Sequence, residues 1–368
     1  MVWRSREDKE ITKLDQLKRY VDLLPEREEQ LRKVIARHPM RISYDYLSLI
    51  NWDDTDDPIA RMAIPSPGEL DLAGSYDTSG EQENTKLPGL QHKYPQTALI
   101  LATDRCAVYC RHCFRKRMVG LKSEEVLQRF SEAVRYIKQH KEINNVLITG
   151  GDPFVLSTKI IGKFLEELTA IPHLDFIRFG TRVPVVKPTR IIEDLDLTAL
   201  LRSYSRMTKR IYVVTQFNHP REIAERSIYA IDRLLSAGVS VNNQAVLLKG
   251  VNDEPETLAE LLNRLVAIGV SPYYVFQCRP VKHVKHNFQV PLYRGYEIVE
   301  SAKRRLNGFS KRFKFIMSHQ TGKIEIVGII GDEIYLKYHQ ARDPQNVGKF
   351  FKRKLNRTAG WLDELEPA

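Results

Sequence analysis

Between residues 97 and 278 the sequence alternates short apolar runs with amphipathic segments, and this alternation limits the possible folds more than any other feature. Strands are predicted at 97–103, 144–150, 175–181, 210–217, 240–248 and 272–278, and helices at 123–139, 157–170, 195–207, 220–237 and 256–268. Six strands joined by five helices indicate a parallel α/β sheet. We therefore expect a partial (βα)6 TIM-like barrel, with its chemistry at the carboxyl ends of the strands.

The chain is expected to comprise an N-terminal helical and wrapping extension (1–90), the barrel (91–290) and a C-terminal segment (291–368). Within residues 6–37, apolar positions at helical spacing predict two helices that separate near Pro25. Residues 38–90 are rich in Pro, Asp and Gly, and this composition predicts a wrapping segment with little regular structure.

The C-terminal segment follows the barrel with a mixed pattern. A helix is predicted at 294–306 and strands at 313–317 and 323–330. The basic tail at 349–357, KFFKRKLNR, is expected to be solvated and partly disordered.

Bulk composition limits the location and the partners of the chain. The net charge of +11 comes from 57 basic and 46 acidic residues, and an excess of this size is read as a basic surface, with no nucleic acid expected. The sequence has no stretch of roughly 18 to 20 apolar residues and no signal-peptide pattern at its start. We therefore expect a cytoplasmic protein with no membrane partner.

Three of the four cysteines, Cys106, Cys110 and Cys113, form a C-x3-C-x2-C run just after the first predicted strand. Cysteines this close cannot join distant parts of a fold, so a disulfide framework is disfavoured. Three thiolates can hold a [4Fe–4S] cluster and leave one iron open for a substrate or cofactor.

Zinc binding and a structural role are the alternatives to a cluster at these cysteines. A zinc site normally has four ligands in two pairs, and only His112 is at hand to complete an unusual one. Cys278, at the end of the last predicted strand, could be a fourth ligand, but a buried structural thiol is favoured there. The cluster remains the preferred prediction.

From about residue 25 to 330 the sequence resembles the radical S-adenosylmethionine (SAM) superfamily, and in particular the lysine 2,3-aminomutase family. The resemblance rests on the cysteine run with Tyr109 before its second cysteine, and on HPMR (38–41), IPSP (64–67), HKYP (92–95), CRHCFRKR (110–117), GGDP (150–153), GTRVP (180–184), FNHP (217–220), NQ (243–244) and GVND (250–253). It implies that the open iron binds SAM, whose cleavage yields a 5′-deoxyadenosyl radical.

The resemblance also assigns SAM contacts. Tyr109 would pack against the adenine, and Gly150, Gly151 and Asp152 would let the backbone approach the methionine end. Gln244, placed at the end of the fifth strand, matches a further SAM contact.

Pyridoxal 5′-phosphate (PLP) is the second cofactor that the resemblance implies. Lys323 falls at the family's PLP lysine, although only Gly322 remains of the glycine run that normally precedes it. Lys93, with His92, matches a basic phosphate-binding element, and Thr97 replaces a second family arginine. Arg115 matches the arginine that binds the substrate α-carboxylate.

The far end of the substrate site departs from the lysine-specific members, which place two aspartates there. This chain has Arg279 and, approximately, Ser318 at those positions. A cation facing a cationic substrate is repulsive, so free lysine is disfavoured, and a substrate with an anionic or neutral end is expected. The cysteines of the family's C-terminal zinc cluster are missing, because none follows Cys278.

The leading hypothesis is a radical SAM, PLP-dependent 2,3-aminomutase that moves the amino group of an α-amino acid other than lysine from C2 to C3. Its partners would be a small amino acid substrate and a low-potential electron donor of the flavodoxin or ferredoxin type, and a homo-oligomer is expected. Two alternatives stay open: an aminomutase acting on a lysine of elongation factor P, and an iron–sulfur protein that has lost mutase activity.

Overall fold

One twelve-stranded sheet follows the chain almost strand by strand in the computed structural model, which describes residues 10–205 and 209–368. Its order is β14-β13-β12-β11-β10-β9-β8-β7-β6-β5-β4-β3, and β1 and β2 form a separate antiparallel pair. The strands are β1 (Glu10–Ile11), β2 (Ile42–Ser43), β3 (Thr85–Leu87), β4 (Leu90–Tyr94), β5 (Thr97–Thr103), β6 (Asn145–Gly150), β7 (Phe176–Gly180), β8 (Arg210–Thr215), β9 (Ser240–Leu247), β10 (Ser271–Gln277), β11 (Lys314–His319), β12 (Gly322–Ile330), β13 (Glu333–Ala341) and β14 (Phe350–Lys354).

The six predicted barrel strands are confirmed as β5 to β10, and every neighbouring pair among them is parallel. β11 adds a seventh parallel strand, because the preceding helix crosses back over the sheet. The linear strand order leaves β3 and β14 at opposite edges in the described part of the chain. The fold is thus an α/β partial barrel, as predicted.

The five predicted barrel helices are also present, as α6, α7, α10, α11 and α12 of the full set. That set is α1 (Leu14–Leu17), α2 (Pro25–Arg37), α3 (Tyr44–Leu47), α4 (Pro58–Ala63), α5 (Glu81–Asn84), α6 (Phe130–Gln139), α7 (Thr158–Thr169), α8 (Val183–Val186), α9 (Thr189–Glu193), α10 (Leu195–Tyr204), α11 (Glu225–Ser236), α12 (Pro255–Ala267), α13 (Lys285–Phe288) and α14 (Leu292–Lys303). None of the helices described is long and apolar enough to cross a membrane.

Two helix starts were predicted too early. α6 begins at Phe130 because the preceding residues run beside β5, where the Leu127 amide donates to the Leu101 carbonyl at 2.8 Å. α11 begins after the separate 3-10 turn Pro220–Glu222. Residues 6–9 of the predicted N-terminal helices and 206–207 of the predicted helix 195–207 lie outside the described residues.

The N-terminal extension is more ordered than expected. Pro25 begins α2, which confirms the predicted break between the two helices. Residues 38–90 contain the short helices α3, α4 and α5, and the side chains of Tyr46 and Met62 are fully buried. The segment supplies β3 to the same sheet as the barrel, and the three-part domain division stays a prediction.

The expectation of a solvated, partly disordered basic tail is wrong. Residues 350–354 form the edge strand β14, which pairs with β13, and the ring of Phe351 lies 5.1 Å from that of Tyr338. The chain then returns to the body of the molecule, where Trp361 is buried. Ladder hydrogen bonds and this aromatic packing order the tail despite its charge.

Candidate active site

An interior cavity of about 350 Å³ opens where the parallel strands end. Its wall includes the ends of β6, β7, β8 and β10, as expected for a βα barrel. Apart from Tyr109 and His92, the predicted site residues line it, namely Lys93, Cys106, Cys110, Cys113, Arg115, Gly150, Gly151, Asp152, Gln244, Arg279, Ser318 and Lys323.

The cysteine loop, which leaves β5, is fastened to the N-terminal extension. The Tyr109 amide donates to the Arg41 carbonyl at 2.9 Å, and the Arg111 amide donates to the Met62 carbonyl at 2.8 Å. Glu69 also receives hydrogen bonds from the side chains of Arg111 and Lys116. These contacts fix the loop over the cavity.

The three loop cysteines are free of disulfides and partly buried. Burial raises the pKa of Cys106 and of Cys113, so these thiols need a compensating cation before they ionise. Iron supplies such a charge, and the donor set therefore fits a cluster held by three thiolates.

The arrangement differs from a single-ion site. Within residues 10–205 and 209–368, no group of three or more His, Cys, Asp or Glu side chains is placed to hold one metal ion. Cluster cysteines each bind a different iron, so their sulfurs do not converge on one point. Cys278 lines the cavity beside Arg279, and burial raises its pKa to about 12.

The two glycines after β6 permit a close approach within the protein. A Cβ atom at Gly150, whose φ is +123°, would lie 2.4 Å from the Thr103 carbonyl oxygen, and one at Gly151 would lie 2.2 Å from that of Arg105. Both contacts are with the start of the cysteine loop. The absence of side chains therefore brings the β6 turn against that loop.

Asp152 braces the neighbouring strand end. Its carboxylate accepts hydrogen bonds from the Thr181 hydroxyl at 2.6 Å, the Arg182 amide at 2.7 Å and the Phe154 amide at 3.0 Å. Both carboxylate oxygens are used in this way. The side chain thus joins the end of β6 to the end of β7 within the cavity wall.

Tyr109 and Gln244 differ from their expected positions. The Tyr109 ring lies outside the cavity wall, next to Gly120 and 5.5 Å from the Arg41 guanidinium carbon. Gln244 faces the cavity from the middle of β9 and not from its end. The strand continues past Gln244 because its next three residues pair with β10.

Lys323 extends from β12 into the cavity. Its ammonium nitrogen donates to Gln340 Oε1 at 3.0 Å and lies 5.6 and 5.1 Å from the ring centres of Tyr94 and Tyr274. Burial, reinforced by Arg178 and other nearby cations, lowers the pKa of Lys323 to about 7. A large fraction of this amine is therefore neutral near neutral pH.

Lys93 lies in the same wall. It donates to the carbonyl oxygens of Ser79 at 2.9 Å and His319 at 2.8 Å, and burial together with the charge of Arg279 lowers its pKa to about 7. His92, its predicted companion in phosphate binding, contacts Tyr136 instead and does not line the cavity.

Arg115 already has a carboxylate partner. Its guanidinium donates to Glu81 Oε1 at 2.9 and 3.0 Å, and Arg117 binds the other oxygen of the same group. Burial opposes ionisation of Glu81, but the two arginines outweigh it and lower the pKa of Glu81 to about 2. A substrate carboxylate at Arg115 must share the guanidinium with Glu81.

Arg279 has no carboxylate partner in the described part of the chain. It donates to the hydroxyls of Ser79 at 2.8 Å and Ser318 at 3.1 Å, and its guanidinium carbon lies 4.0 Å from the centre of the Phe114 ring. Burial lowers the pKa of Arg279 to about 10. Glu81 and Asp77 oppose that shift through space, but neither is hydrogen-bonded to the guanidinium, which can therefore accept an anionic ligand.

Sequence reasoning missed several residues of this site. Ser79 and Glu81 lie in a stretch that was read only as irregular, and no local pattern indicates their long-range partners. The sequence indicates Arg182 only as part of the motif GTRVP (180–184). Its place directly after a buried strand was a usable signal, because barrel chemistry gathers there.

Comparison with known proteins agrees with this geometry. Residues 100–262 match the family model of the Radical SAM superfamily. A protein of Aquifex aeolicus (strain VF5), provisionally named an L-lysine 2,3-aminomutase, is 43% identical over 348 residues, which cover 94% of this chain and 93% of that protein. The L-lysine 2,3-aminomutase of Clostridium subterminale is 37% identical, with 83% and 73% covered. The glutamate 2,3-aminomutase of Clostridioides difficile (strain 630) is also 37% identical, with 82% and 70% covered.

Proposed function

Because the chain belongs to the lysine 2,3-aminomutase family of the radical SAM superfamily, we propose that it is a PLP-dependent 2,3-aminomutase of an acidic α-amino acid. It would move the amino group from C2 to C3. When bound, the cluster and SAM supply the radical, and PLP carries the migrating nitrogen. The protein binds these groups and orients the substrate among them.

Cys106, Cys110 and Cys113 would hold the cluster at one end of the cavity. Gln244 and the backbone at Gly150 and Gly151 would contact SAM. These residues share one cavity wall, which supports the assignment. Asp152 would act indirectly, by holding the turn that approaches the cysteine loop.

The observation that carries the proposal is the position of Lys323, which extends into the cavity that Lys93 and Arg279 also line. A lysine is nucleophilic only when neutral, and Lys323, with its pKa lowered to about 7, is partly neutral at neutral pH. Arg279 supplies positive charge in the same cavity, and a phosphate bound beside Lys93 would favour the charged form of that lysine. The residues present therefore fit PLP.

Arg279 favours an acidic substrate. Two like charges about 4 Å apart repel by about 4 kcal/mol at an effective dielectric constant of about 20. An ordinary hydrogen bond contributes roughly 1 kcal/mol. One added hydrogen bond could therefore not offset the repulsion between Arg279 and the ammonium group of a lysine substrate. A carboxylate there would gain a charge-assisted bond instead.

The test is a substrate panel. Anaerobic, cluster-reconstituted enzyme is incubated with SAM, PLP, a low-potential reductant and each amino acid in turn, and β-amino acid products are separated by chromatography. Glutamate or aspartate should give product and lysine should not. Purified elongation factor P is tested in parallel, and modification of its lysine with no product from any free amino acid would instead favour the protein-lysine alternative. SAM cleavage without any β-amino acid product would refute the proposal.

The proposed electron donor is a flavodoxin or ferredoxin, and the proposed assembly is a homo-oligomer. Radical SAM enzymes need a low-potential reductant, which makes such a protein the natural source of the electron. Reduction of the cluster by purified flavodoxin or ferredoxin, followed spectroscopically, tests the donor.

A further inference from the structure

Arg182 touches one of the cluster cysteines directly. Its Nη1 group donates a hydrogen bond to Cys110 Sγ at 2.9 Å. Among the described residues, no other side chain donates a hydrogen bond to Cys106, Cys110 or Cys113. The positively charged guanidinium of Arg182 thus donates a hydrogen bond only to Cys110 among the three proposed cluster ligands of the described chain.

The guanidinium is held from several sides. Arg182 Nε donates to the Gln216 carbonyl at 3.0 Å, and Nη2 donates to the Tyr46 hydroxyl at 3.1 Å and to the Glu222 carboxylate. The Tyr46 hydroxyl in turn donates to Glu222 at 2.6 Å. Three different segments therefore fix the orientation of one arginine.

Glu222 is itself immobilised. Its side chain is fully buried, and its second oxygen accepts from the amides of Asn218 at 2.6 Å and His219 at 3.1 Å. A buried carboxylate with this many hydrogen-bond donors is held in one position. Arg182 consequently has a rigid anchor on the side opposite Cys110.

We infer that Arg182 is a positioning residue that raises the reduction potential of the cluster through its hydrogen bond to Cys110, with Glu222 and Tyr46 holding it there. One electron from the reductant enters the cluster, and no bond forms or breaks in that step. The added negative charge is stabilised by a nearby cation and by hydrogen bonds to sulfur. The inference rests on the proposed cluster and not on the proposed substrate.

The experiment uses the full chain with its cluster reconstituted under anaerobic conditions. Wild type, Arg182→Gln, Arg182→Lys and Tyr46→Phe are first compared for iron and sulfide content. Midpoint potentials are then measured by redox titration followed by electron paramagnetic resonance, without SAM and with it. Arg190→Gln is the matched control, because that arginine is partly buried and binds Asp194 away from the cysteine loop.

Arg182→Gln should shift the midpoint to a more negative potential without SAM. Arg182→Lys and Tyr46→Phe should shift it less in the same direction, and Arg190→Gln should match wild type. Equal midpoints for Arg182→Gln and wild type would overturn the inference, as would a shift seen only with SAM. If Arg182→Gln assembles no cluster, the midpoint potential of Tyr46→Phe is the deciding measurement. A midpoint equal to that of wild type in Tyr46→Phe would then overturn the inference. Wild type without any cluster signal would refute the proposed function as well.

Discussion

Ser318 lies directly opposite Lys323 in the antiparallel ladder between β11 and β12. Ser318 also accepts a hydrogen bond from Arg279. The hairpin of β11 and β12 therefore connects Lys323, the proposed PLP lysine, with Arg279, the residue proposed to bind the substrate side chain. The short loop before Lys323 therefore shapes the substrate end of the cavity as well as the lysine. This relationship supports assigning both roles to one site.

Lys323 is expected to carry PLP. Borohydride treatment of the PLP-loaded protein should leave a pyridoxyl group on Lys323, identified by peptide mass spectrometry, and Lys323→Met should abolish it. Lys93→Met is the control: it should weaken PLP binding and still allow the modification of Lys323. Modification of another lysine in wild type would contradict the assignment.

The rate of PLP attachment should depend on pH. Burial lowers the pKa of Lys323 to about 7 from the ordinary 10.5, so the neutral amine dominates above pH 7 and the ammonium dominates below it. Attachment followed by absorbance should therefore accelerate as the pH rises through 7 and then level off. A rate that keeps rising towards pH 10 would indicate an ordinary, exposed lysine.

Arg279→Asp should reverse the substrate preference. Loss of a hydrogen bond to a charged group costs about 1.5 to 3 kcal/mol, and the new carboxylate also repels that of the substrate, so kcat/KM for the acidic substrate should fall by at least about 10- to 100-fold. Activity on lysine should appear or rise, because an aspartate now faces its ammonium group. Arg226→Gln, on the surface, is the control. An unchanged substrate preference in Arg279→Asp would show that Arg279 does not bind the side chain of the substrate.

Gly322 is expected to be essential for placing Lys323. A Cβ atom there would lie 2.2 Å from the Gln340 carbonyl oxygen, whereas one at Gly308 would meet nothing within 4 Å. Gly322→Ala should therefore distort the hairpin and reduce PLP attachment while the cluster content stays normal. Gly308→Ala should behave as wild type in both measurements. Normal attachment in Gly322→Ala would contradict this role.

Glu69 is expected to stabilise the folded protein. Burial opposes its ionisation, but Arg111 and Lys116 outweigh burial and lower the pKa of Glu69 from 4.5 to about 2. Breaking a buried ion pair costs about 3 to 5 kcal/mol, and Glu69→Gln should lose that much in urea unfolding at pH 7. Glu29→Gln, which breaks an exposed pair with Lys33, should change little.

The contribution of Glu69 should also vary with pH. Between pH 4.5 and about 2 the unfolded state binds a proton that the folded state does not, so the stabilisation is complete above pH 4.5 and is lost as the pH falls towards 2. The difference between wild type and Glu69→Gln should therefore shrink below pH 4.5. A constant difference would exclude an ionised Glu69 as its source.

The parallel strands and the cysteine run could be predicted because their signals are local. Buried parallel strands are continuously apolar, and the spacing of Cys106, Cys110 and Cys113 is a short motif. Gln244 was wrongly placed at a strand end, although the predicted strand 240–248 already extends past it, as β9 does. β14 was missed because an edge strand with little buried surface looks like a charged tail.

The carboxylates of the site could not be predicted from local pattern. Glu69 and Glu81 lie in an irregular segment, and their partners Arg111 and Arg115 lie 42 and 34 residues further along the chain. Only the fold brings them together. Arg182 and Cys110, 72 residues apart, are likewise joined by the barrel and not by any motif.

Migration of nitrogen in an acidic amino acid tests the central claim most directly. The reconstituted enzyme is incubated anaerobically with SAM, PLP, reductant and glutamate or aspartate labelled with 15N at C2, and the product is read by nuclear magnetic resonance. Cys110→Ala is the blank. The account predicts 15N bonded to C3 in wild type and none in the blank. SAM cleavage in wild type with all label remaining at C2 of both amino acids would contradict it.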